Sequence, residues 1–243
     1  MLLGIHVPEY VGIGDRIQFG CLPENFFLNT GHKLIDVSKC YVFDHNPYVK
    51  RDESPERVVD LWTFPWEPSS KFLSKSERWC YGFDLKTCYL RHPRLYIHED
   101  STIKNNQVVV HTTGKMKGIF SDKVIDQIQT NYKDYEIIQI GGVNDKDTPF
   151  LDKRGLGYFE TAEIISQSHV FIGPSSGMYH TARCYPKVRK KVVVLDHDPD
   201  LTRENLKIFQ PYKMTQDDWL DFDTEIYNES EYDIGVTRAL HKI

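Results

Sequence analysis

Short apolar runs alternate with amphipathic segments over residues 107–195, and this alternation restricts the fold of the chain more than any other feature of its sequence. The apolar runs are residues 107–111, 135–140, 169–172 and 191–195. Runs of this kind are typical of strands that are buried on both faces. Apolar residues recur at helical spacing after Ser121 and again over residues 159–167. Buried strands that alternate with helices predict an α/β fold with a parallel, doubly wound sheet.

The first hundred residues carry a weaker form of the same pattern. Residues 2–7 are predicted to form a strand, and the loop after it contains Gly12, Gly14 and Asp15. Asp15 stands where the next helix should begin, so it is either a helix cap or an exposed carboxylate, and spacing alone favours the cap. The predicted helix contains Pro23 and ends at residues 29–31.

The remaining elements of this half are short. Residues 33–37 and 40–43 are predicted strands, and residues 74–89 are a predicted helix. Trp62, Phe64 and Trp66 either line a substrate cleft or, as is more usual for aromatic residues, anchor a loop on the core. The polar stretch 99–106 is the best candidate for a domain boundary. We therefore predict a smaller domain over residues 1–100 and a larger one over residues 101–243.

Composition excludes several classes of protein. The chain has 243 residues, of which 40% are hydrophobic and 27% are charged, as in a folded soluble protein. The net charge of −5 and the acidic segment 217–233 disfavour nucleic acid as a partner. Five scattered cysteines without C-x-x-C spacing predict a reduced, cytoplasmic protein. Since no apolar run reaches membrane-spanning length, any membrane contact is expected to be peripheral.

The turn within residues 171–180 predicts an anion-binding site. An apolar strand runs into Ser175, Ser176 and Gly177, and a helix is predicted from Met178. Small residues leave backbone N–H groups accessible, and the N-terminus of a helix favours phosphate. The alternative, a plain strand-to-helix turn with a serine cap, stays open and is favoured on this motif alone.

Other predicted strand ends in this half carry similar groups. They are Thr112, Thr113 and Lys117 after the first strand, Gly141 and Gly142 after the second, and residues 196–198 after the last. Because ligands bind at the carboxyl ends of parallel strands, this set predicts a nucleotide phosphate site. A kinase or a dehydrogenase is disfavoured, since the chain has no P-loop and Gly12-Ile13-Gly14 is an incomplete dinucleotide fingerprint.

Two segments together resemble the GT-B glycosyltransferases of the ADP-heptose:lipopolysaccharide heptosyltransferase type, or family 9. The first, Gly12-Ile13-Gly14-Asp15 with Pro23 nearby, is similar to the glycine-aspartate loop of that family. The second, residues 173–180, is similar to its motif of acid, serine or threonine, glycine, proline, methionine and histidine. Ser175 replaces the acid, and Met178-Tyr179 replaces the proline-methionine pair. The resemblance implies two Rossmann-like domains, here with a reduced N-terminal domain.

The resemblance also implies a reaction and the residues that perform it. A sugar would pass from a nucleotide diphosphosugar to a hydroxyl acceptor such as a glycan, without a metal ion or another cofactor. Asp15 would be the base that takes the acceptor proton. Lys117, His180 and the Ser176-Gly177 turn would stabilise the leaving diphosphate. Gly14, Thr112, Thr113, Gly141, Gly142 and Ser175 complete the predicted donor-binding set.

Other functions stay open at this point. The chain could bind a nucleotide sugar without turnover, or it could transfer a group other than a sugar from a phosphoester. A sugar transferase that modifies nucleobases is a further alternative, because Arg183 and the basic run at residues 187–191 suit such an acceptor. Asp196 and Asp198 resemble a D-x-D metal motif, although a loop cap is the more usual role of such a pair.

Overall fold

The structure, a computed structural model, describes residues 2–65, 75–90, 92–114, 118–174, 176–194 and 224–228. The chain divides into two compact units, and among these residues the first unit ends at Ile97 and the second begins at His98. The predicted parallel α/β fold is confirmed in both. No helix in the described ranges has the length and apolar character that crossing a bilayer requires.

The first unit is built on a four-stranded parallel sheet. Its strands are β1 (Leu3–His6), β2 (Leu34–Asp36), β3 (Val49–Lys50) and β4 (Arg57–Asp60), and its helices are α1 (Ile13–Gln18), α2 (Leu22–Thr30) and α3 (Lys75–Gly82). The strand order is β3-β2-β1-β4. The chain therefore runs from β1 to one side of the sheet and then crosses to the other side to form β4. The topological switch point lies between β1 and β4.

Local chemistry explains where the first helices begin and end. Gly12, in an extended conformation, is the N-cap of α1, and Pro23 lies in the first turn of α2, where a missing N–H costs nothing. Gly31 ends α2 in the left-handed region at φ 73°. The cap interpretation of Asp15 is therefore wrong in detail, because Asp15 lies in the first turn of α1 and Gly12 is the cap.

Gly20 lets two segments of the first unit approach closely. A Cβ atom at this position would lie 2.3 Å from the carbonyl oxygen of Arg94, well inside contact distance. We expect Gly20→Ala to lower the free energy of unfolding by about 1–3 kcal/mol, because backbone must move to relieve the clash. Urea denaturation measures this loss. Gly12→Ala is the control, since its Cβ would meet nothing nearer than 3.6 Å, and an equal loss in both variants would contradict the explanation.

The second unit contains a six-stranded parallel sheet. Its strands are β5 (Lys104–His111), β8 (Glu136–Ile140), β9 (Leu151–Asp152), β10 (Ser168–Gly173), β11 (Arg189–Val194) and β12 (Thr224–Asn228), and a small hairpin is formed by β6 (Thr113–Gly114) and β7 (Gly118–Ile119). The helices are α4 (Asp122–Asn131), α5 (Tyr158–Gln167) and α6 (Gly177–Arg183). The order β12-β11-β10-β5-β8-β9 places the switch point between β5 and β10.

Apolar layers cover both faces of this sheet, as the sequence predicts. Val108 and Val110 of β5 pack on one face in a cluster with α4, whereas Val109 packs on the other with residues of α5 and α6. Successive side chains of a strand point to opposite faces, so β5 supplies both layers. The sheet is therefore doubly wound, and its carboxyl edge remains the place where loops can hold a ligand.

Two predicted elements differ in the structure. The strand predicted over residues 40–43 is instead a single 3₁₀ turn (Tyr41–Phe43). This turn buries Val42 and Phe43. The helix predicted over residues 74–89 ends at Gly82, and Asp84 adopts a left-handed conformation at φ 55°. Within the acidic segment 217–233, the structure describes only β12, which pairs with β11.

Candidate functional site

Three side chains meet across the switch point of the second unit. His111 ends β5 and Ser176 precedes α6, and His111 Nδ1 lies 3.0 Å from Ser176 Oγ. On the opposite side of the imidazole, His111 Nε2 lies 3.6 Å from Asp145 Oδ2 in the loop after β8. The side chains of His111 and Asp145 are only 10% and 15% exposed. The cluster therefore links the carboxyl ends of three neighbouring strands, β10, β5 and β8.

Ser176 has two local partners besides any ligand. It is the N-cap of α6, and its hydroxyl oxygen accepts a hydrogen bond from the Tyr179 N–H at 3.4 Å. The tautomer of His111 decides whether the hydroxyl donates to the imidazole or accepts from it. The predicted serine cap is thus confirmed, and the same hydroxyl belongs to the polar cluster.

The loop after β8 is shaped by Gly141 and held by Asp145. Gly141 adopts φ 131°, and a Cβ atom there would lie 2.1 Å from Asp145 Oδ2 and 2.9 Å from the His111 ring. The Gly142 N–H donates to Asp145 Oδ2 at 2.9 Å, so it is already bonded within the loop. Burial tends to raise the pKa of Asp145, but the neighbouring His111, the Gly142 N–H and the charge of Arg154 outweigh burial and lower it.

The structure describes only some of the remaining residues that the sequence predicts for the site. Thr112 is fully buried, and its hydroxyl accepts from Gln139 Nε2 at 3.3 Å, whereas Thr113 is partly exposed in the β6–β7 hairpin. Gly177 begins α6, and His180 lies in the last turn of this short helix. Lys117, Ser175, Trp66 and residues 196–198 lie outside the described residues. In the described ranges, no three His, Cys, Asp or Glu side chains are placed to hold a metal ion.

The first unit has a corresponding pair at its own switch point. His6 and Asp60 are register partners at the carboxyl ends of β1 and β4, and His6 Nδ1 lies 3.1 Å from Asp60 Oδ2. Both side chains are accessible, with 42% of His6 and 32% of Asp60 exposed. The sequence offers His6 only as a fallback base if Asp15 is structural, and it does not pair His6 with Asp60, because the two residues are 54 positions apart and only the strand order brings them together.

Asp60 is held on its other side by the turn that follows β4. Its Oδ1 accepts hydrogen bonds from the N–H groups of Trp62 and Thr63 at 2.9 and 3.0 Å. Partial burial tends to raise the pKa of Asp60, but the Thr63 N–H, His6 and the Trp62 N–H outweigh burial and lower it. Asp60 is therefore an ionised acceptor whose position does not depend on a ligand.

Asp15 and Gly14 lie in the first turn of α1, after the loop that leaves β1. A Cβ atom at Gly12 would lie 3.6 Å from Asp15 Oδ2, so the carboxylate folds back over the N-terminus of its helix. The loop is fixed by Arg16, whose Nε donates to the Val11 carbonyl at 2.7 Å and whose guanidinium also bonds the Glu9 carbonyl. Asp15 thus has the placement of a carboxylate that stabilises its own helix.

No protein-family model matches the chain, and no curated protein matches it in sequence. Solved structures do match. The iron-containing dodecameric glycosyltransferase TibC of enterotoxigenic E. coli has a TM-score of 0.59 and 17% identity, over 78% of this chain and 59% of that one. The chain therefore spans about three fifths of TibC.

Two further structures match over nearly the whole chain. A family 9 glycosyltransferase from Veillonella parvula has a TM-score of 0.66 and 12% identity, over 97% of this chain and 89% of that one. The E. coli heptosyltransferase WaaC, solved with ADP-2-deoxy-2-fluoro heptose, has a TM-score of 0.60 and 8% identity, over 99% of each chain. At such identities the likeness concerns the fold, and the predicted GT-B fold class is confirmed: this chain has the fold of the heptosyltransferases and family 9 glycosyltransferases.

Proposed function

We propose that the chain is a glycosyltransferase that moves a sugar from a nucleotide diphosphosugar to a hydroxyl acceptor. The observation that supports this most strongly is the polar cluster of His111, Asp145 and Ser176 at the switch point between β5 and β10. Ligands of open parallel sheets bind at that position. The similar structures include a heptosyltransferase with an ADP-heptose analogue and TibC with ADP-D-beta-D-heptose, which supports a nucleotide sugar as the donor.

The donor side would act by hydrogen bonding and charge. Ser176 and the N–H groups at the start of α6 would bind the diphosphate, together with Lys117 and His180 as the sequence predicts. These groups would stabilise the negative charge that develops as the bond to the sugar breaks. Asp145 and Gly141 would keep the His111 ring in place beneath Ser176, so that the hydroxyl has a fixed position before the donor binds.

On the acceptor side, the hydroxyl needs a base. The sequence predicts Asp15 for this role, and its carboxylate lies in the first turn of α1 after the end of β1.

We also propose that transfer needs no metal ion and that the chain acts in the cytoplasm. We expect transfer to persist after the chain is dialysed against a chelator. Loss of transfer after this treatment would contradict metal independence.

We expect donor nucleotides to raise the melting temperature of the chain. A ligand that binds only the native state at 100 times its Kd stabilises it by about 2.7 kcal/mol. A thermal-shift screen with ADP-, GDP-, UDP- and CMP-linked sugars measures this effect and identifies the nucleotide. If none of the four shifts the transition, the glycosyltransferase proposal is contradicted. A shift without transfer to any hydroxyl acceptor would instead favour the non-catalytic binding module.

A further inference from the structure

The hydroxyl proton of Ser176 is bonded to His111 in the free chain. The lowered pKa of Asp145 keeps its carboxylate ionised, and an ionised carboxylate attracts an N–H group and repels a lone pair. The proton of the neutral imidazole is therefore favoured on His111 Nε2, which faces Asp145 Oδ2 at 3.6 Å. His111 Nδ1 is then an acceptor, so the Ser176 hydroxyl donates to it at 3.0 Å.

Two glycines confine the His111 side chain between segments of backbone. A Cβ atom at Gly141 would lie 2.9 Å from Cδ2 of the ring, and one at Gly173 would lie 3.3 Å from the His111 Cβ atom. Only 10% of the side chain is exposed. The ring is therefore packed in one orientation, so a change in its hydrogen bonds requires the gain or loss of a proton.

In this state Ser176 faces a phosphate with a lone pair and not with a proton. A hydroxyl group has one proton and two acceptor lone pairs. The proton is bonded to His111, and one lone pair accepts from the Tyr179 N–H at 3.4 Å. The remaining lone pair would repel a phosphate oxygen, which is also an acceptor. Ser176 can donate to a diphosphate only if its contact with His111 is reversed.

We propose that His111 is the positioning residue of the donor site and takes up one proton from solvent when the diphosphate binds. This inference rests on the proposed glycosyl transfer and concerns only its donor side. The added proton is on His111 Nδ1, which then donates to Ser176 Oγ, and the hydroxyl proton turns to a phosphate oxygen. No covalent bond to the ligand is formed. Ser176 then uses its proton and both of its lone pairs.

The charges around the ring bear on this proton uptake. Asp145, in the loop after β8, supplies the negative charge that stabilises an imidazolium. Arg154 donates to the Asp145 carbonyl, and its own positive charge is paired with Asp152. The last turn of α6 carries two further basic residues, His180 and Arg183. The diphosphate adds negative charge beside Ser176, so its binding favours the protonated ring.

Proton uptake is measured by titration calorimetry with ADP, GDP and UDP in buffers that differ in ionisation enthalpy. For the nucleotide that binds, we expect an uptake of about one proton at about pH 8. Its Kd should rise by up to about tenfold per pH unit between about pH 7 and about pH 9, because the bound chain holds one proton more than the free chain.

His111→Gln should bind that nucleotide about 10–100-fold more weakly at about pH 7, and without this pH dependence. Asp145 would attract the amide N–H₂ group, so the amide oxygen would keep the Ser176 proton and could not release it by ionising. The control is His169→Gln, which changes a histidine near the amino end of β10, at the opposite edge of the sheet. It should retain both the affinity and the pH dependence of the parent chain.

Binding without proton uptake overturns the inference and leaves the glycosyltransferase proposal standing, and so does a pH dependence that persists in His111→Gln. A second measurement uses the parent chain alone. The ¹⁵N chemical shifts of the His111 ring at about pH 8 should show a proton on Nε2 only, and on both nitrogens once the nucleotide is bound. A proton on Nδ1 in the free chain would also overturn the inference. If neither these nucleotides nor their sugars bind, the proposed function fails, and the inference fails with it.

Discussion

Asp60→Asn is expected to reverse the tautomer of the neutral His6 ring while leaving the fold almost unchanged. The asparagine oxygen can still accept from the N–H groups of residues 62 and 63, so the turn after β4 is retained. Its amide N–H₂ would then face His6 Nδ1 and donate to it. The imidazole must respond by moving its proton from Nδ1 to Nε2. The variant therefore holds the His6 ring in the tautomer opposite to that of the parent chain.

Asp60→Ala provides the comparison, because it removes both functions of the carboxylate. We expect it to lose the acceptor for Trp62 and Thr63 and therefore to be less stable than Asp60→Asn. Its imidazole, however, is free to adopt either tautomer. Urea denaturation should show Asp60→Ala to be the less stable variant, and ¹⁵N chemical shifts of the His6 ring should show the reversed tautomer enforced only in Asp60→Asn. If the His6 ring keeps its proton on Nδ1 in Asp60→Asn, the contact with residue 60 does not set the tautomer.

Ser176→Ala is expected to reduce kcat/KM for the donor by about 10²-fold, since a hydroxyl that contacts the leaving diphosphate would be lost. It should also reduce stability by about 0.5–2 kcal/mol, because α6 loses its N-cap. The effect on stability alone says nothing about function. A matched variant must therefore remove a cap of the same geometry elsewhere in the same unit.

Ser121→Ala is that variant. Ser121 is the N-cap of α4, and its hydroxyl accepts from the Val124 N–H at 3.4 Å, the distance found between Ser176 and the Tyr179 N–H. We expect Ser176→Ala to lose at least as much stability as Ser121→Ala in urea denaturation, because Ser176 also contacts His111, and only Ser176→Ala to lose donor turnover. Equal kinetic losses in the two variants would show that the defect is structural, and Ser176 would then be a helix cap alone.

Periodicity predicted the second unit well because its central strands, β5 and β10, are buried on both faces. Runs such as Val108–Val109–Val110 have no solvated face, so they are hard to confuse with loops, and Ser121 and Ser176 are caps that short-range chemistry alone identifies. The first unit was harder. β3 and β4 are two and four residues long, and three of the six positions are exposed. A strand of that length carries too little pattern to be recognised.

The two polar clusters could not be predicted for a different reason. Each joins residues that are distant along the chain, and each depends on which strand crosses the sheet. A signal did exist, since His6 and His111 both end the first strand of a unit. Without the strand order, however, nothing in the sequence pairs His6 with Asp60 or His111 with Asp145 and Ser176. Residue propensities predict individual helices and strands, whereas the contacts in these two clusters depend on the order of the strands in each sheet.

The turn after β4 also limits how this sequence can vary over evolution. Asp60 is held by the backbone N–H groups of residues 62 and 63, and not by their side chains. Substitution of Trp62 can therefore alter what the loop contacts without disturbing the carboxylate. Proline is the exception at both positions, because it has no N–H to donate. Relatives of this chain should accordingly diversify at these two positions while avoiding the one residue that would release Asp60.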